Sequence, residues 1–366
     1  MTTSVDTVPA PDAPASIQPS GTASRQGGGL IRYLIVRFLL IFPTIFILVT
    51  LVFFLMRATG DPITAAQGGH VPPAQLKHLI HEAGYDRPLI VQYLQYLGQI
   101  ARGDFGTTFT DHQKVTTVLL TYGSATLELA FYALIVAFLV GIPLGLLAAY
   151  IRDRWGDAVL RILAVLFYAT PVFFSGLLLK LIFASWLDVL PVAGRASTSV
   201  ELEMQLLPHP TGIYLIDAFR TGDPAAVPDV LEHAVLPAVA LGLLTAGVFL
   251  RLVRTNVIGT FNTQYVDAAR SRGVGEFRLV TKHAYKPALI PIITVIGLQI
   301  ALLLGGAVLT ETTFEWKGLG FQLNAYLGSR DFVAVQGIVA LLAVIVAVVN
   351  FIVDVIAALI DPRVRF

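Results

Sequence analysis

The sequence has no cysteine among its 366 residues and few charged side chains. The lack of cysteine excludes disulfides and thiolate metal sites. Charged residues make up 13% of the chain, which is about half the share found in a typical soluble domain. Mean hydropathy is +0.74, and several uncharged runs approach the roughly 20 residues that a helix needs to cross a bilayer. These features predict an all-α membrane protein with several spans.

Motifs for nucleotide hydrolysis and for metal-assisted catalysis are also lacking. None of the six lysines is followed by Ser or Thr, so the Gly-Lys-Ser/Thr core of a Walker A loop does not occur. His81 and Glu82 lack the second histidine of a zinc-binding helix and, with His78, are typical of a solvated helix face. A formal net charge of +1 gives no basic field for nucleic acid. We therefore predict no catalytic residue, metal or cofactor in this chain and no nucleic-acid partner.

The first part of the chain divides into three segments. Residues 1–29 hold four prolines and no aromatic residue, which predicts a disordered cytoplasmic extension. The run from Phe38 to Met56 is uncharged and would span about 28 Å as a helix, so we expect the first transmembrane helix at 30–57. Residues 58–118 are polar, with two short amphipathic stretches, and predict an extracytoplasmic subdomain.

Residues 119–366 are predicted to form a core with five more transmembrane helices. The third span is interrupted near Thr170-Pro171, and residues 188–232 are expected to join residues 58–118 in one extracytoplasmic cap. Fifteen of the 25 Lys and Arg lie in the short segments assigned to the cytoplasm, which places both termini inside. Spans two to six are predicted at 118–151, 158–187, 233–256, 286–310 and 332–360.

A polar, basic segment at 262–291 separates two long apolar runs. Residues 265–272 favour a helix, and Gly273 stands where glycine commonly ends one in the left-handed conformation. A second short amphipathic stretch runs from Glu276 to Tyr285. The pattern predicts two short helices that form a rigid plug for a partner's groove. The alternative is an ordinary basic loop that only sets topology.

This segment resembles the coupling loop of ABC importer permeases. Asp267-Ala268-Ala269, followed after three residues by Gly273, is similar to the Glu-Ala-Ala-x-x-x-Gly pattern of that loop, with Asp in place of Glu. Other stretches resemble the dipeptide/oligopeptide (peptide/nickel) permeases, so that the resemblance covers about nine-tenths of the chain. They are Gly60-Asp61-Pro62, DRPLIVQYL at 86–94, RGDFGTT at 102–108, FEWKGLG at 314–320 and LIDPR at 359–363.

The resemblance implies a six-span, type I ABC importer permease in a bacterial inner membrane. It implies import of dipeptides or oligopeptides, with nickel or another small solute as the alternative. The implied partners are a homologous second permease, an extracytoplasmic substrate-binding protein, and two cytoplasmic ATPases that bind ATP and Mg. The implied ATPase-docking residues, in a coupling loop at 257–285, are Tyr265, Asp267, Ala268, Ala269, Arg270, Gly273 and Glu276.

Four further residues are candidates for the pathway or its gate. Glu128 and Asp354 lie within predicted spans, where an acid is costly and faces the bundle or a wet cavity. Each is either a proton or substrate site or an interhelical hydrogen bond, and Glu128 has the further alternative of a place near the outer headgroups. Phe314 and Trp316 either line the substrate entrance or form an interfacial aromatic belt. A secondary transporter that uses the two acids as a proton relay is a rival, although no internal repeat supports it.

Overall fold

A computed structural model describes residues 27–67, 71–261 and 263–360, and within them the protein is helical, without strands. The all-α prediction is confirmed. The disordered extension predicted for residues 1–29 falls mostly outside the described residues. The helices are α1 (Gly27–Ala58), α2 (Pro62–Gln67), α3 (Pro73–Glu82), α4 (Leu89–Ala101), α5 (Val115–Tyr150), α6 (Trp155–Ala169), α7 (Val172–Leu179), α8 (Thr198–Gln205), α9 (Tyr214–Thr221), α10 (Ala226–Phe261), α11 (Gln264–Ser271), α12 (Glu276–Arg278), α13 (Tyr285–Phe314), α14 (Leu319–Gly328) and α15 (Phe332–Ile360), with π-helical turns at Lys180–Trp186 and Leu279–Ala284.

Among the described residues, five helices are long and apolar enough to cross a membrane, namely α1, α5, α10, α13 and α15. A sixth candidate crossing is α6 followed by α7 and its π turn, a pair bent by 103°. The bend falls at Thr170, where ψ is 126°, because proline disfavours a helical residue before it. The prediction of six spans, one of them interrupted at this position, agrees with this arrangement.

Contacts at the two ends of the bent pair show that it runs from one end of the bundle to the other. Asp157, in the first turn of α6, binds Arg254 near the end of α10. Beyond the bend, the Lys180 ammonium donates to the Thr313 carbonyl at the end of α13, 2.9 Å away. Since α10 and α13 run in opposite directions, these contacts lie at opposite ends of the bundle. We call them the Tyr150 end and the Val115 end, after the two ends of α5.

Helices α5 and α10 form the centre of the bundle and run parallel to each other. Gly141 of α5 faces Ala246 of α10, and Gly145, one turn further along, faces Val253. A Cβ atom added at Gly242 would lie 2.6 Å from the Ala133 carbonyl oxygen. Small residues are therefore needed here, because they let the two backbones approach closely.

Gly242→Val is expected to destabilise the bundle by about 1–3 kcal/mol, because the new side chain overpacks the contact between α5 and α10. Thermal unfolding in detergent would measure the loss. Gly305→Val is the matched control, since a Cβ at Gly305 meets nothing within 4 Å. Equal melting temperatures for the two variants would contradict this account of the central contact.

The two segments predicted as one cap pack on different helices at the Val115 end. Residues of α8 and α9 share a small apolar cluster with the start of α10, which includes Met204, Ala218 and Val230. The loop after α4 is held instead by Asp331, which accepts hydrogen bonds from the Phe109 and Thr110 backbone. Each of the two segments predicted to form the cap is therefore fixed to the helix ends beside it.

Candidate functional site: the helix–glycine–helix segment

The segment 264–284 folds as predicted from the sequence, with a helix, a glycine break and a second helix. Helix α11 ends before Gly273, whose φ is +81°. The Gly273 N–H donates to the Arg270 carbonyl at 2.9 Å, and the Val274 N–H donates to the Ala269 carbonyl at 3.3 Å. A Cβ atom at Gly273 would meet nothing within 4 Å. Glycine is therefore required here by its backbone conformation and not by lack of space.

One face of this segment is part of the apolar core. Its buried side chains join the same cluster as Phe249 and Val253 of α10 and Ile292 of α13. Such burial makes the two short helices an extension of two spans, so that a displacement of the segment moves those spans. The segment contributes Val266, Ala269, Leu279, Val280 and Ala284 to this cluster.

The opposite face is exposed and carries a bridge across the glycine. The Arg270 guanidinium binds the carboxylate of Asp267 at 2.9 Å and that of Glu276 at 3.0 Å. Exposed ion pairs of this kind add little stability, but this one links α11 to α12. Tyr265 adds a second link, because its hydroxyl lies 3.1 Å from the His283 carbonyl.

Two of the residues predicted for docking have different surroundings from those expected. Ala269 is only 2% exposed and packs on the chain's own core, so only Ala268 of the alanine pair faces outward. Asp267 pairs with Arg270 of the same chain. The sequence reasoning also missed Phe277, which is 65% exposed on the same surface and makes an edge contact with Tyr150.

Glu128 has all of its hydrogen-bonding capacity occupied. Its carboxylate accepts hydrogen bonds from the Arg195 guanidinium at 2.5 Å, the Tyr132 hydroxyl at 2.8 Å and the Leu215 N–H at 2.9 Å. Arg195 also stacks 3.6 Å from the centre of the Tyr214 ring. Of the two interpretations open for Glu128, this geometry supports the structural hydrogen bond. Arg195 was missed because its partner lies 67 residues away in the sequence.

Phe314 and Trp316 are fully buried in this chain, at 1% and 0% exposure. The Trp316 Nε1–H donates to the Ala125 carbonyl at 2.9 Å, which ties this region to α5. In this structure neither side chain lines an open surface, and the packing supports a structural role for both. Helix α13 continues through Phe314, past the end predicted at 310, and carries Glu311 into the interior, where it accepts from Thr126 at 2.7 Å.

Asp354 is partly open, with 28% of its side chain exposed. The Arg37 Nε lies 3.4 Å from its carboxylate. The pair lines a cleft of about 340 Å³ between α1, α13 and α15, together with Asn350 and Thr44. Among the described residues, no three His, Cys, Asp or Glu side chains lie together as a metal site.

Comparison with known protein families decides how the chain is classified. Residues 141–366 match the family described as binding-protein-dependent transport system inner membrane component. Residues 30–130 match the corresponding N-terminal family. The chain belongs to this family of binding-protein-dependent transport permeases. It is thus a multi-pass membrane protein of a transport system with ATPase and substrate-binding partners, which agrees with the prediction of a transport subunit.

Curated relatives are similar over nearly their whole length. The di/tripeptide transport system permease protein DppB of Pseudomonas aeruginosa is 36% identical over 338 residues, covering 92% of this chain and 99% of the relative. The dipeptide transport system permease protein DppB of Escherichia coli is 35% identical, with the same coverage. The probable D,D-dipeptide transport system permease protein DdpB of Escherichia coli is 37% identical, covering 83% and 88%. The resemblance inferred from the motifs is confirmed.

Proposed function

We propose that this chain is a transmembrane permease subunit of an ATP-driven importer of peptides, and that segment 264–284 couples it to an ATPase. The observation that carries the proposal is that the segment has one buried face and one exposed face. One face is part of the core of α10 and α13, and the other presents Tyr265, Ala268 and Phe277. A partner bound to the open face moves two spans with it.

In this mechanism, ATP-driven closure of a pair of ATPases displaces segment 264–284 and the corresponding segment of a second permease. Arg254, about two turns before the end of α10, holds Asp157 by two hydrogen bonds of 2.6 and 2.7 Å. The bent pair α6–α7 is therefore tied to α10 at the Tyr150 end and follows it. The spans then rock between inward-open and outward-open states, and a homologous second permease completes the pathway.

The proposal places the Tyr150 end in the cytoplasm of a bacterial cell and both termini on that side. The basic residues of the 152–161 turn and of segment 264–284 support this orientation. The Val115 end then faces the substrate-binding protein. Of the four predicted pathway residues, we retain Asp354, whose cleft is open, and assign Glu128, Phe314 and Trp316 to the fixed structure of the Val115 end.

Peptides are the proposed substrate because the relatives named above are di/tripeptide and dipeptide permeases. Nickel or another small solute is the second candidate within the same family. The test is uptake by vesicles that contain the permease pair, both ATPases and the binding protein. We expect uptake of labelled di- or tripeptide that requires ATP and persists with a protonophore. Uptake that continues without ATP and collapses with the protonophore would establish the secondary transporter instead, and uptake of nickel alone would reassign the substrate.

Variants of the neighbouring alanines separate docking from folding. Ala268→Trp is expected to leave the melting temperature unchanged but to lower ATPase co-purification and peptide uptake about tenfold, because the bulky ring obstructs a close contact. Ala269→Trp is expected to lower the melting temperature itself, since Ala269 lies in the core. Normal uptake by Ala268→Trp would leave segment 264–284 as a topogenic loop.

A further inference from the structure

A polar cavity at the Val115 end has no role in the mechanism described above. It has a volume of about 250 Å³ and lies between the end of α1, the turn after α3, helix α4, the 104–109 loop and the start of α15. Five of the eight buried side-chain N and O atoms that lack a hydrogen-bond partner in the described part of the chain belong to residues lining this cavity. They are Nε and Nη1 of Arg57, Oε1 of Gln92, the Tyr96 hydroxyl and Nε2 of Gln336.

Two of these side chains are more than nine-tenths buried and held in place. Gln92 is 7% exposed and Gln336 is 5% exposed. The Gln92 amide nitrogen donates to the Tyr85 carbonyl at 2.9 Å and to the Arg87 carbonyl at 2.7 Å. These two bonds fix the amide orientation and leave its oxygen without a partner. Buried polar atoms are normally paired because leaving them unpaired is costly, so their concentration here indicates a ligand site.

The chemistry of the unpartnered atoms selects an anion. Arg57, Tyr96 and Gln336 offer donors, whereas Gln92 offers one acceptor. Burial raises the pKa of the Tyr96 hydroxyl well above its ordinary value of 10.0, so it stays protonated and able to donate. The Arg57 guanidinium stacks on Tyr85 at 4.4 Å and on Phe53 at 5.1 Å. These rings hold it against the cavity, while its Nε and Nη1 have no hydrogen-bond partner.

The charge balance and the volume limit which anion fits. Arg57 is the only cationic side chain among the described residues that line the cavity, and the Asp104 carboxylate lines it as well. Asp104 would oppose a dianion such as phosphate more strongly than a carboxylate, which carries one charge and matches the guanidinium fork. Ligand pockets commonly measure about 300–1,000 Å³, so this one accepts a small molecule and not an extended peptide.

We propose that this cavity binds a small carboxylate, with Arg57, Tyr96 and Gln336 donating hydrogen bonds to its oxygens. The site is separate from segment 264–284 and lies at the end where we place the binding protein. A carboxylate there joins α1, α4 and α15, which carry Arg57, Tyr96 and Gln336. Its binding therefore stabilises the packing of the 58–114 segment on the bundle, whatever solute the transporter imports.

The test is thermal unfolding of the purified full-length protein in detergent with acetate, glycylglycine, inorganic phosphate or acetamide at constant ionic strength and pH. At saturating acetate or glycylglycine we expect the Tm to rise by about 2–4 °C, with no rise for acetamide, the neutral analogue. If acetate raises the Tm, the ligand is a free carboxylate. If only glycylglycine raises the Tm, the ligand is the terminal carboxylate of a peptide. An equal rise with acetamide, a larger rise with phosphate, or no rise with either carboxylate would overturn the proposal.

Three variants and a control assign the effect to this cavity. Tyr96→Phe removes only the hydroxyl and is expected to weaken acetate binding about tenfold, read as a shift in the midpoint of the Tm titration. Arg57→Gln is expected to abolish the rise. Gln336→Glu supplies a carboxylate from the chain, so we expect a higher Tm without ligand and no further response. The control is Arg102→Gln, an exposed arginine of the same segment outside the cavity. An unaltered acetate response in Tyr96→Phe and Gln336→Glu would exclude the site even if Arg57→Gln fails to fold.

Discussion

Gly273→Val is expected to leave the permease in the membrane but to reduce substrate-stimulated ATP hydrolysis by the assembled transporter about tenfold or more. Gly273 has a φ of +81°, and a left-handed conformation costs a non-glycine residue about 1–3 kcal/mol, with the cost greatest for β-branched side chains. The chain relieves this strain by changing the angle between α11 and α12, which shifts the surface that we assign to docking. ATP hydrolysis and ATPase co-purification in reconstituted membranes would measure the effect.

Two other variants separate backbone conformation from bulk. Gly275→Ala is the matched control, because Gly275 has an ordinary φ of −63° and open space around it, and we expect near-normal coupling. The stimulated ATP hydrolysis of Gly273→Asn should lie between that of Gly273→Val and that of the unsubstituted protein, since asparagine tolerates the left-handed region. Full stimulation in Gly273→Val would remove the support for a docking role of this segment. An equal loss in Gly275→Ala would show that side-chain bulk alone disturbs the surface.

Arg195→Met is expected to cost about 3–5 kcal/mol of stability, the largest effect of any single change considered, because it leaves the Glu128 carboxylate buried without its cation. The side chains of both residues are at least 95% buried, and Arg195 also stacks on Tyr214. Thermal unfolding and the yield of folded protein from membranes would show the loss.

A second substitution tests whether the cost comes from the unpaired charge. Glu128→Gln combined with Arg195→Met is expected to regain part of the lost stability, since no isolated charge remains buried. Arg161→Met is the surface control, because Arg161 is 58% exposed and lies 3.8 Å from Asp157. We expect it to change the stability by less than about 0.5 kcal/mol. Equal losses in Arg195→Met and Arg161→Met would contradict the assignment of Arg195 to the packed Val115 end.

The span prediction succeeded because the signal for a membrane helix is local. A helix in lipid satisfies its own backbone hydrogen bonds, so an apolar run of sufficient length predicts one without knowledge of its neighbours. Gly273 was predicted for the same kind of reason, since a helix end depends on a few adjacent residues. The helix ends were less accurate. Helix α10 begins at Ala226, before the predicted 233, and α13 continues to Phe314, because polar residues in these turns find partners elsewhere in the fold.

Side-chain roles were predicted less well because they depend on residues distant in the sequence. The sequence offered Glu128 as either a transport site or a hydrogen bond, and only the fold brings Arg195 to it. The burial of Ala269 beside the exposed Ala268 depends on how α11 lies on α10 and α13. An alanine pair gives no indication of that orientation, because both residues are small and apolar.

The membrane class, the number of spans, the glycine break and the family could all be predicted from the sequence. Each of these depends on composition, on the length of an apolar run or on a short motif. The tertiary structure alone decided which acids are paired, which aromatic side chains are buried, and that Arg57, Gln92, Tyr96 and Gln336 surround one cavity. The physical reason is that burial and pairing arise where helices remote in the sequence meet, and a linear pattern carries no record of those contacts.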